Sequence, residues 1–301
     1  MMASSGGAAA YAGDQVQDLP QVDGVEHRFV DADGLRVHVA EAGDGPPVLL
    51  LHGWPQHWYM WREVIGRLAP QFRLIAPDLR GFGWTEAPGH GYDAETFARD
   101  QVALLDALEI ESASVIGHDW GGWTAFLLGL DHAERIERMV ICNAPHPWPK
   151  LEARTALELW RSWYAVALAT PMVGPRLMRQ SDFAAAVLRR ASGKGTFSDE
   201  ELRLYGDSFR DPERANAVSG LYRYYLRTLA SGVRGHWRSR NLAVPTLLLF
   251  GLHDLYIPEK GLPGYEKNAP EMQLEVIDDA GHFLVDEKPD LVARRALAFL
   301  S

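Results

Sequence analysis

The chain has 301 residues with a formal net charge of −10, and 47% of its residues are hydrophobic. It is long enough for one domain, or for one domain with a large insertion. The negative charge argues against binding to nucleic acid or to an anionic membrane surface, because both require basic patches. The only cysteine, Cys142, excludes an internal disulfide and favours a reducing, cytoplasmic compartment.

The first 24 residues are mostly small and polar, without a basic segment or a long apolar run. They are predicted to form a flexible leader over residues 1–24 rather than a signal peptide. The stretch "EHRFVDADGLRVHVAEAG" then alternates polar and apolar residues around Asp33-Gly34, a dipeptide typical of hairpin turns. The short apolar run "PPVLLLHG" predicts a strand that is buried on both faces.

Strands and helices are then predicted to alternate as far as Cys142. The predicted helices are Met60–Leu68, Ala94–Leu108 and Gly121–Leu130, and the predicted strands are Phe72–Ala76, Ala113–Gly117 and Ile136–Cys142. From about residue 145 to 240 the strand-like runs stop and aromatic residues recur at helical spacing. The alternation resumes at "VPTLLLFG" and "LEVID", and a helix through "PDLVARRALAFL" closes the chain.

This pattern predicts an α/β fold with a mostly parallel sheet flanked by helices. The core domain comprises residues 25–144 and 241–301, and residues 145–240 form a helical lid inserted between two strands. Because open α/β sheets bind ligands at the carboxyl ends of their strands, the lid should cover the active site.

The stretch "VIGHDWGGW" combines the end of an apolar strand with the start of a helix. Gly117 and Gly121 flank Asp119 two positions away on either side, which is the spacing of a nucleophile elbow. The small neighbours allow a sharp turn that presents the central side chain at a helix N-terminus. An aspartate that only caps the helix would give the same pattern, so the motif alone does not decide.

Two downstream residues strengthen the catalytic interpretation. Asp254 follows the apolar strand in "FGLHDLYIP", and His282 lies in the loop after the next strand. Nucleophile, acid and histidine thus occur in the chain order of α/β hydrolases. Asp278 and Asp279 remain competitors for the role of Asp254. The triad Asp119, Asp254 and His282 is the prediction.

The loop "HGWP" ends the first buried strand at the place where hydrolases have an oxyanion hole. The backbone N–H groups of Trp54 and Trp120 are predicted to form it. Pro55 is expected in a tight turn, where a cis peptide is an option. His52 and His57 lack a neighbouring cluster of carboxylates or cysteines, so no metal site is predicted.

An aspartate nucleophile suits one kind of chemistry. A carboxylate is already anionic and can displace a leaving group from an sp3 carbon, which forms an alkyl ester on the enzyme. His282, oriented by Asp254, would then activate a water molecule that hydrolyses the ester of Asp119. The sequence therefore indicates alkyl transfer followed by hydrolysis.

The segments "HGWPQHWYMWR", "DLRGFGWT", "GHDWGGW", "NAPHPW" and the final "GHF" together resemble the α/β-hydrolase-fold epoxide hydrolases. The resemblance runs from about Val25 to the C-terminus and is weakest in the lid. It implies that a small hydrophobic epoxide is converted to a vicinal diol without cofactor or metal. The oligomeric state stays open between monomer and homodimer.

In this family two lid tyrosines stabilise the opening epoxide, and the matching positions here are Tyr164 and Tyr222. Helical phase supports Tyr222 but leaves Tyr225 as a competitor, and it directs Arg223 and Tyr224 away from the site. The expected lining of the substrate pocket is Trp54, Pro55, Trp120, Trp163 and Tyr225, with Trp160, Phe183 and Trp237 as further candidates.

The main alternative is a haloalkane dehalogenase, and two other interpretations are disfavoured. Haloalkane dehalogenases use the same aspartyl ester, and Trp120 could then donate its indole N–H to a halide. Haloacetate dehalogenases hold the substrate carboxylate with arginines after the nucleophile, where this chain has Trp120 and Trp123. A fold that only binds a hydrophobic ligand is disfavoured because every triad member is present.

Overall fold

The computed structural model describes residues 19–149, 163–180, 182–233, 237 and 239–301, the side chains of 163 and 230–233 excepted. Eight strands form one sheet in the order β1-β2-β4-β3-β5-β6-β7-β8. Its strands are β1 Glu26–Ala32, β2 Leu35–Ala42, β3 Pro47–Leu51, β4 Arg73–Pro77, β5 Ala113–His118, β6 Ile136–Cys142, β7 Thr246–Gly251 and β8 Met272–Ile277. β2 pairs antiparallel with β1 and β4, and all other pairs are parallel. This architecture confirms the predicted fold class.

The described helices fall into two groups. The core helices are α1 Arg62–Leu68, α2 Ala94–Ala107, α3 Trp120–Asp131, α9 Leu284–Glu287 and α10 Pro289–Leu300. The lid helices are α4 Trp163–Ala169, α5 Val173–Arg179, α6 Asp182–Ala191, α7 Asp199–Asp207 and α8 Pro212–Val233. All five lid helices lie in the chain between β6 and β7. No helix in the described ranges is both long and apolar enough to cross a bilayer.

The sheet is buried on both faces because alternate residues of its central strands enter two separate hydrophobic clusters. In β3, Leu49 and Leu51 pack with α2 and α3, whereas Val48 and Leu50 pack with α1 and α10. This two-sided burial explains why the central strands are continuously apolar in sequence.

The predicted hairpin forms with Asp33 and Gly34 in the turn. Both residues have positive φ, 54° and 80° respectively. A two-residue turn with positive φ at both positions matches the twist of the strands on either side. The predicted helix from Met60 instead begins as a 3-10 turn over Trp58–Trp61 and becomes α-helical at Arg62.

A buried ion-pair cluster joins the lid to the core. The guanidinium of Arg62 in α1 lies 3.0 Å from the carboxylate of Asp286, whose side chain is fully buried, and also pairs with Glu201 in lid helix α7. Nearby, Gln56 donates a hydrogen bond of 2.9 Å to Asp286. At another edge of the lid, Arg214 of α8 donates to the Gly83 carbonyl at 2.7 Å. The lid is therefore fixed to the core at separate places.

Candidate active site

Asp119 lies between β5 and α3 with φ 50° and ψ −115°, a conformation that few non-glycine residues adopt. Its two glycine neighbours make room for this turn. A Cβ atom on Gly117 would lie 2.6 Å from the Gly121 carbonyl oxygen, and one on Gly121 would lie 2.0 Å from the Leu51 carbonyl oxygen. Only glycine fits at these two positions, so the strained turn presents Asp119 at the start of α3.

The carboxylate of Asp119 is held by backbone N–H groups. Trp54 N–H donates to Oδ2 at 3.1 Å, and the N–H of Trp120 also hydrogen-bonds to this carboxylate. The Trp54–Pro55 peptide is cis, and Pro55 is buried. Gly53 lets this loop approach closely, because a Cβ there would lie 2.5 Å from the Cβ of Asp119. The two N–H groups that were predicted to form the oxyanion hole thus both point to the carboxylate of Asp119.

Hydrogen bonds to the segment "DLRGFGWT" hold the loop that carries Trp54 in place. His52 accepts a hydrogen bond from the Leu79 N–H at 2.9 Å through Nε2. Asp78 accepts the Trp58 N–H at 2.8 Å and pairs with the buried His38 at 2.8 Å. His52 and Asp78 are fully enclosed and act as framework residues for this loop.

His282 and Asp254 form a buried pair after β8 and β7. His282 Nδ1 lies 2.8 Å from Asp254 Oδ2, and the side-chain amide of Asn143 donates to the same oxygen at 2.8 Å. The other oxygen accepts the backbone N–H groups of Tyr256 and Ile257. Burial alone would raise the pKa of Asp254, but the His282 charge and these hydrogen bonds outweigh it and lower the pKa. Asp254 therefore remains a carboxylate and holds His282 in one orientation.

The two competing aspartates do not occupy this place. Asp278 and Asp279 are both exposed. The carboxylate of Asp279 pairs with the ammonium of Lys288 on the surface. Among the described carboxylates, Asp254 is the one hydrogen-bonded to His282.

The electrostatics of Asp119 and His282 depend on each other. Burial raises the pKa of Asp119 to about 6, although the His282 charge and the two N–H donors favour the carboxylate. Burial would lower the pKa of His282, but the charge of Asp254, its hydrogen bond and the charge of Asp119 raise it above its ordinary value. At neutral pH this site therefore holds a largely ionised carboxylate beside a basic imidazole.

Tyr164 and Tyr222 meet on the lid side of Asp119. Their ring centroids are 5.8 Å apart in an edge-to-face arrangement. Burial raises the pKa of each phenol well above 10, and the negative charge of Asp119 contributes to both shifts. Both side chains therefore stay protonated at neutral pH, and both lie close enough to sense the carboxylate.

The other lid aromatics surround these two tyrosines. Tyr225 packs edge-to-face on Trp120 with the centroids 6.1 Å apart, while Tyr222 contacts Trp54 at 5.3 Å. Phe183 lies 6.4 Å from Trp54. The site is thus lined by aromatic rings from core and lid.

The predictions for the other lid aromatics have different outcomes. Tyr224 was expected to point away from the site, which is wrong, because its ring lies 6.2 Å from Trp120 and its hydroxyl accepts the Trp123 indole N–H at 3.4 Å. Trp163 begins α4. Its side chain, like all of Trp160, lies outside the described residues. Trp237 packs on Trp123 at 5.8 Å, one turn of α3 beyond Trp120.

Sequence reasoning missed Asn143 and Tyr256. Asn143 is buried directly after β6 with φ 44°, and a polar residue directly after the buried apolar run "MVIC" could have revealed it. Tyr256 follows Asp254 by two positions, and its ring lies 5.1 Å from His282 and 5.5 Å from Tyr164. None of the sequence motifs indicated that Tyr256 would lie between these two rings.

Known proteins share both the sequence and this fold. A family model described as the alpha/beta hydrolase fold matches residues 46–289. The AB hydrolase superfamily protein YfhM of Bacillus subtilis (strain 168) is 31% identical over 93% of this chain and 99% of its own. A soluble epoxide hydrolase of Corynebacterium sp. (strain C12) is 32% identical over 92% of this chain and 98% of its own. The solved structure of the epoxide hydrolase CorEH without ligand has a TM-score of 0.81 and 30% identity, covering 92% of this chain and 98% of that one. The chain therefore belongs to the epoxide hydrolase family of α/β-hydrolase-fold enzymes.

Proposed function

We propose that this enzyme converts small hydrophobic epoxides and water to vicinal diols through a covalent ester on Asp119. The observation that carries the proposal is the pair of protonated phenols, Tyr164 and Tyr222, packed together on the lid side of the Asp119 carboxylate. An epoxide needs this combination, because the opening ring must receive a nucleophile at carbon and a proton at oxygen.

In the first step Asp119 attacks a ring carbon. Trp54 N–H holds Oδ2, so Oδ1 is the oxygen that is free to form the new C–O bond. The C–O bond of the ring breaks, and its electron pair goes to the ring oxygen. One of the two tyrosines transfers its proton to that oxygen, and the other stabilises the developing charge by a hydrogen bond.

In the second step His282 takes a proton from a water molecule that attacks Cγ of the Asp119 ester. The charge that develops on Oδ2 is stabilised by the N–H groups of Trp54 and Trp120. Collapse of this tetrahedral intermediate breaks the bond between Cγ and Oδ1, and Oδ1 leaves as an oxygen of the diol. The two protons of the water end on the leaving oxygen and on the phenolate, so Asp119 is again a carboxylate.

Formation of the ester also changes the pKa of His282, the proposed base of the second step. The charge of Asp119 contributes to the raised pKa of His282 in the free enzyme. The ester carries no charge, so this contribution disappears and the pKa of His282 falls when the imidazole must be neutral.

Oxygen labelling during a single turnover tests the covalent step. With enzyme in excess over styrene oxide in water enriched in oxygen-18, the diol should contain only unlabelled oxygen, since its new oxygen comes from Asp119. The peptide that contains Asp119 should gain the mass difference of one heavy oxygen. Asp119→Asn is the matched control and should give neither diol nor label.

Heavy oxygen in the first diol would contradict the proposal, because it would mean direct attack by water. Release of halide from 1-chlorobutane or 1,2-dibromoethane, without diol formation from any tested epoxide, would favour the dehalogenase alternative. In that case the tyrosine pair would not serve as a proton donor.

A further inference from the structure

Tyr256 connects parts of the site that belong to different steps of the reaction. It stands in the loop after β7, and its backbone N–H donates to Asp254 Oδ1 at 2.8 Å. Its ring contacts His282 on one side, with an interplanar angle of 87°, and Tyr164 on another, with an angle of 63°. The residue therefore touches the proposed base and a proposed proton donor at the same time.

The hydroxyl of Tyr256 is directed to the lid backbone. It donates to the carbonyl oxygen of Val187 in α6 at 3.2 Å. Burial, opposed by the charge of Arg190, raises the pKa of this phenol well above its ordinary value. The group is therefore a neutral hydrogen-bond donor to the lid over the working pH range.

His282 has few ways to move without displacing these neighbours. Its Nδ1 is bound to Asp254, and Phe283 and His118 pack on its ring with centroids 4.9 Å and 5.1 Å away. Phe283 and Tyr256 both reach the lid, Phe283 through Phe197 at 5.6 Å, and Tyr256 is the one whose ring also contacts Tyr164. A shift of Tyr256 would thus be transmitted to both His282 and Tyr164.

We infer that Tyr256 is a positioning residue that sets the separation of His282 and Tyr164 and ties it to lid helix α6 through Val187. The inference rests on the proposed function, because it assigns one ring to the alignment of both half-reactions. Its hydroxyl is committed to Val187, so Tyr256 is not a third proton donor to the substrate.

The test compares Tyr256→Leu with Tyr265→Leu. Tyr265 is a matched control, because it also packs edge-to-face on a buried histidine, His146, at 5.6 Å, but lies outside the site. Rapid-quench intact mass spectrometry gives the rate of ester formation and the rate of ester hydrolysis per active site. Thermal unfolding of each variant measures the accompanying loss of stability.

The expected result is that Tyr256→Leu slows both steps by about tenfold to a hundredfold, since small displacements of reacting groups have effects of this size. Tyr265→Leu should change neither step while lowering the Tm by a similar amount. A purely structural role would lower the Tm of Tyr256→Leu equally but leave both rates per active site intact, and that outcome would overturn the inference. Tyr256→Met replaces the leucine variant if the latter does not fold.

Tyr256→Phe separates the ring from the hydroxyl. It keeps both ring contacts and loses the bond to Val187, so it should slow the two steps much less than Tyr256→Leu. Ester formation as slow as in Tyr164→Phe would instead make the Tyr256 hydroxyl a proton donor and would refute the positioning role. If the wild-type protein forms no diol or ester at all, the proposed function fails, which is a different result from an active wild type with an unimpaired Tyr256→Leu.

Discussion

Nε2 of His282 lies 3.9 Å from Oδ1 of Asp119, beyond hydrogen-bonding distance, while Nδ1 of the same ring is bound to Asp254 at 2.8 Å. The imidazole is thus oriented by the acid without being tied to the nucleophile. Asp119 can attack a substrate without first breaking a bond to the base. In the proposed mechanism, this arrangement separates the residue needed for ester formation from the one needed for ester hydrolysis.

His282→Ala should therefore form the ester and then stop. Ester hydrolysis should fall by about a hundredfold to ten-thousandfold, the usual contribution of a general base, whereas ester formation should persist. Intact mass after exposure to an epoxide should show one added substrate mass per chain, and peptide mapping should place it on Asp119. The exposed His90→Ala serves as control and should remain free of adduct. An adduct on any other residue would contradict the assignment of the nucleophile.

The lid tyrosines should differ in their effects. Tyr164→Phe and Tyr222→Phe should each slow ester formation by about tenfold to a hundredfold, because each removes a hydrogen bond to the opening oxygen. We expect Tyr225→Phe to have a much smaller effect, since Tyr222 packs edge-to-face on Tyr164 and its phenol senses the charge of Asp119. Stopped-flow measurement of ester formation distinguishes them. An equal loss in Tyr225→Phe would move the second donor to Tyr225.

The pH dependence of kcat/KM should have an acid limb near pH 6. Asp119 must be a carboxylate to attack, and burial raises its pKa to about 6, so kcat/KM should fall tenfold per unit below that pH. No alkaline limb should follow between about pH 7 and 9, because the pKa values of Tyr164 and Tyr222 are raised well above 10. Initial rates at low substrate concentration measure this profile. An acid limb near pH 4 would show that burial does not perturb Asp119 as described.

Asp286 should make the stability of the fold depend on pH. Burial raises its pKa from 3.8 to about 6. Between these values the folded state binds more protons than the unfolded state, so the free energy of unfolding should decrease as pH rises, by roughly 3 kcal/mol in total. Denaturant titrations of wild type and Asp286→Asn at several pH values measure this effect. The free energy of unfolding of the wild type should fall relative to that of Asp286→Asn as the pH approaches neutrality.

A surface aspartate provides a control of opposite sign. The hydrogen bond from Lys288 lowers the pKa of Asp279, so its contribution is present above the ordinary pKa and is lost as pH falls through the lowered one. Asp279→Asn should therefore weaken the protein at neutral pH and not in acid. A pH-independent difference between wild type and Asp286→Asn would contradict the burial of an ionisable Asp286.

The nucleophile elbow should not tolerate a methyl group. Gly121→Ala would place Cβ 2.0 Å from the Leu51 carbonyl oxygen, and backbone must move to relieve the overlap. We expect a loss of about 3 kcal/mol or more in the free energy of unfolding. Gly66→Ala is the matched control, since nothing lies within 4 Å of its added Cβ and alanine should stabilise α1 by up to about 1 kcal/mol. Urea unfolding compares the two variants, and equal stability would refute the close packing of the elbow.

The core of the site was predictable because parallel strands end at one edge of the sheet. Asp119, Asp254 and His282 follow β5, β7 and β8, so their order along the chain already brings them together. The glycine spacing around Asp119 likewise has a steric cause that is visible in sequence. Local rules of this kind need no knowledge of how distant helices pack.

The lid was less predictable for the opposite reason. Helical phase placed Tyr222 correctly towards the core but directed Tyr224 away, although the hydroxyl of Tyr224 meets Trp123 of α3. The rings of Tyr222, Tyr224 and Tyr225 all contact Trp120, so this helix makes contacts over more of its circumference than one apolar stripe suggests. The position of Tyr256 between core and lid depends on this docking, which no spacing in the sequence encodes.

The insertion of the lid between β6 and β7 has a consequence for how such enzymes can diversify. The proposed nucleophile, base and acid all follow strands of the sheet, whereas the proposed proton donors Tyr164 and Tyr222 belong to one contiguous stretch of chain. Exchanging that stretch between homologues would transfer proton donors and pocket walls together while the ester chemistry stayed with the recipient. The hydrogen bond from Tyr256 to the Val187 carbonyl crosses the interface between core and lid, and a functional chimera would have to preserve it.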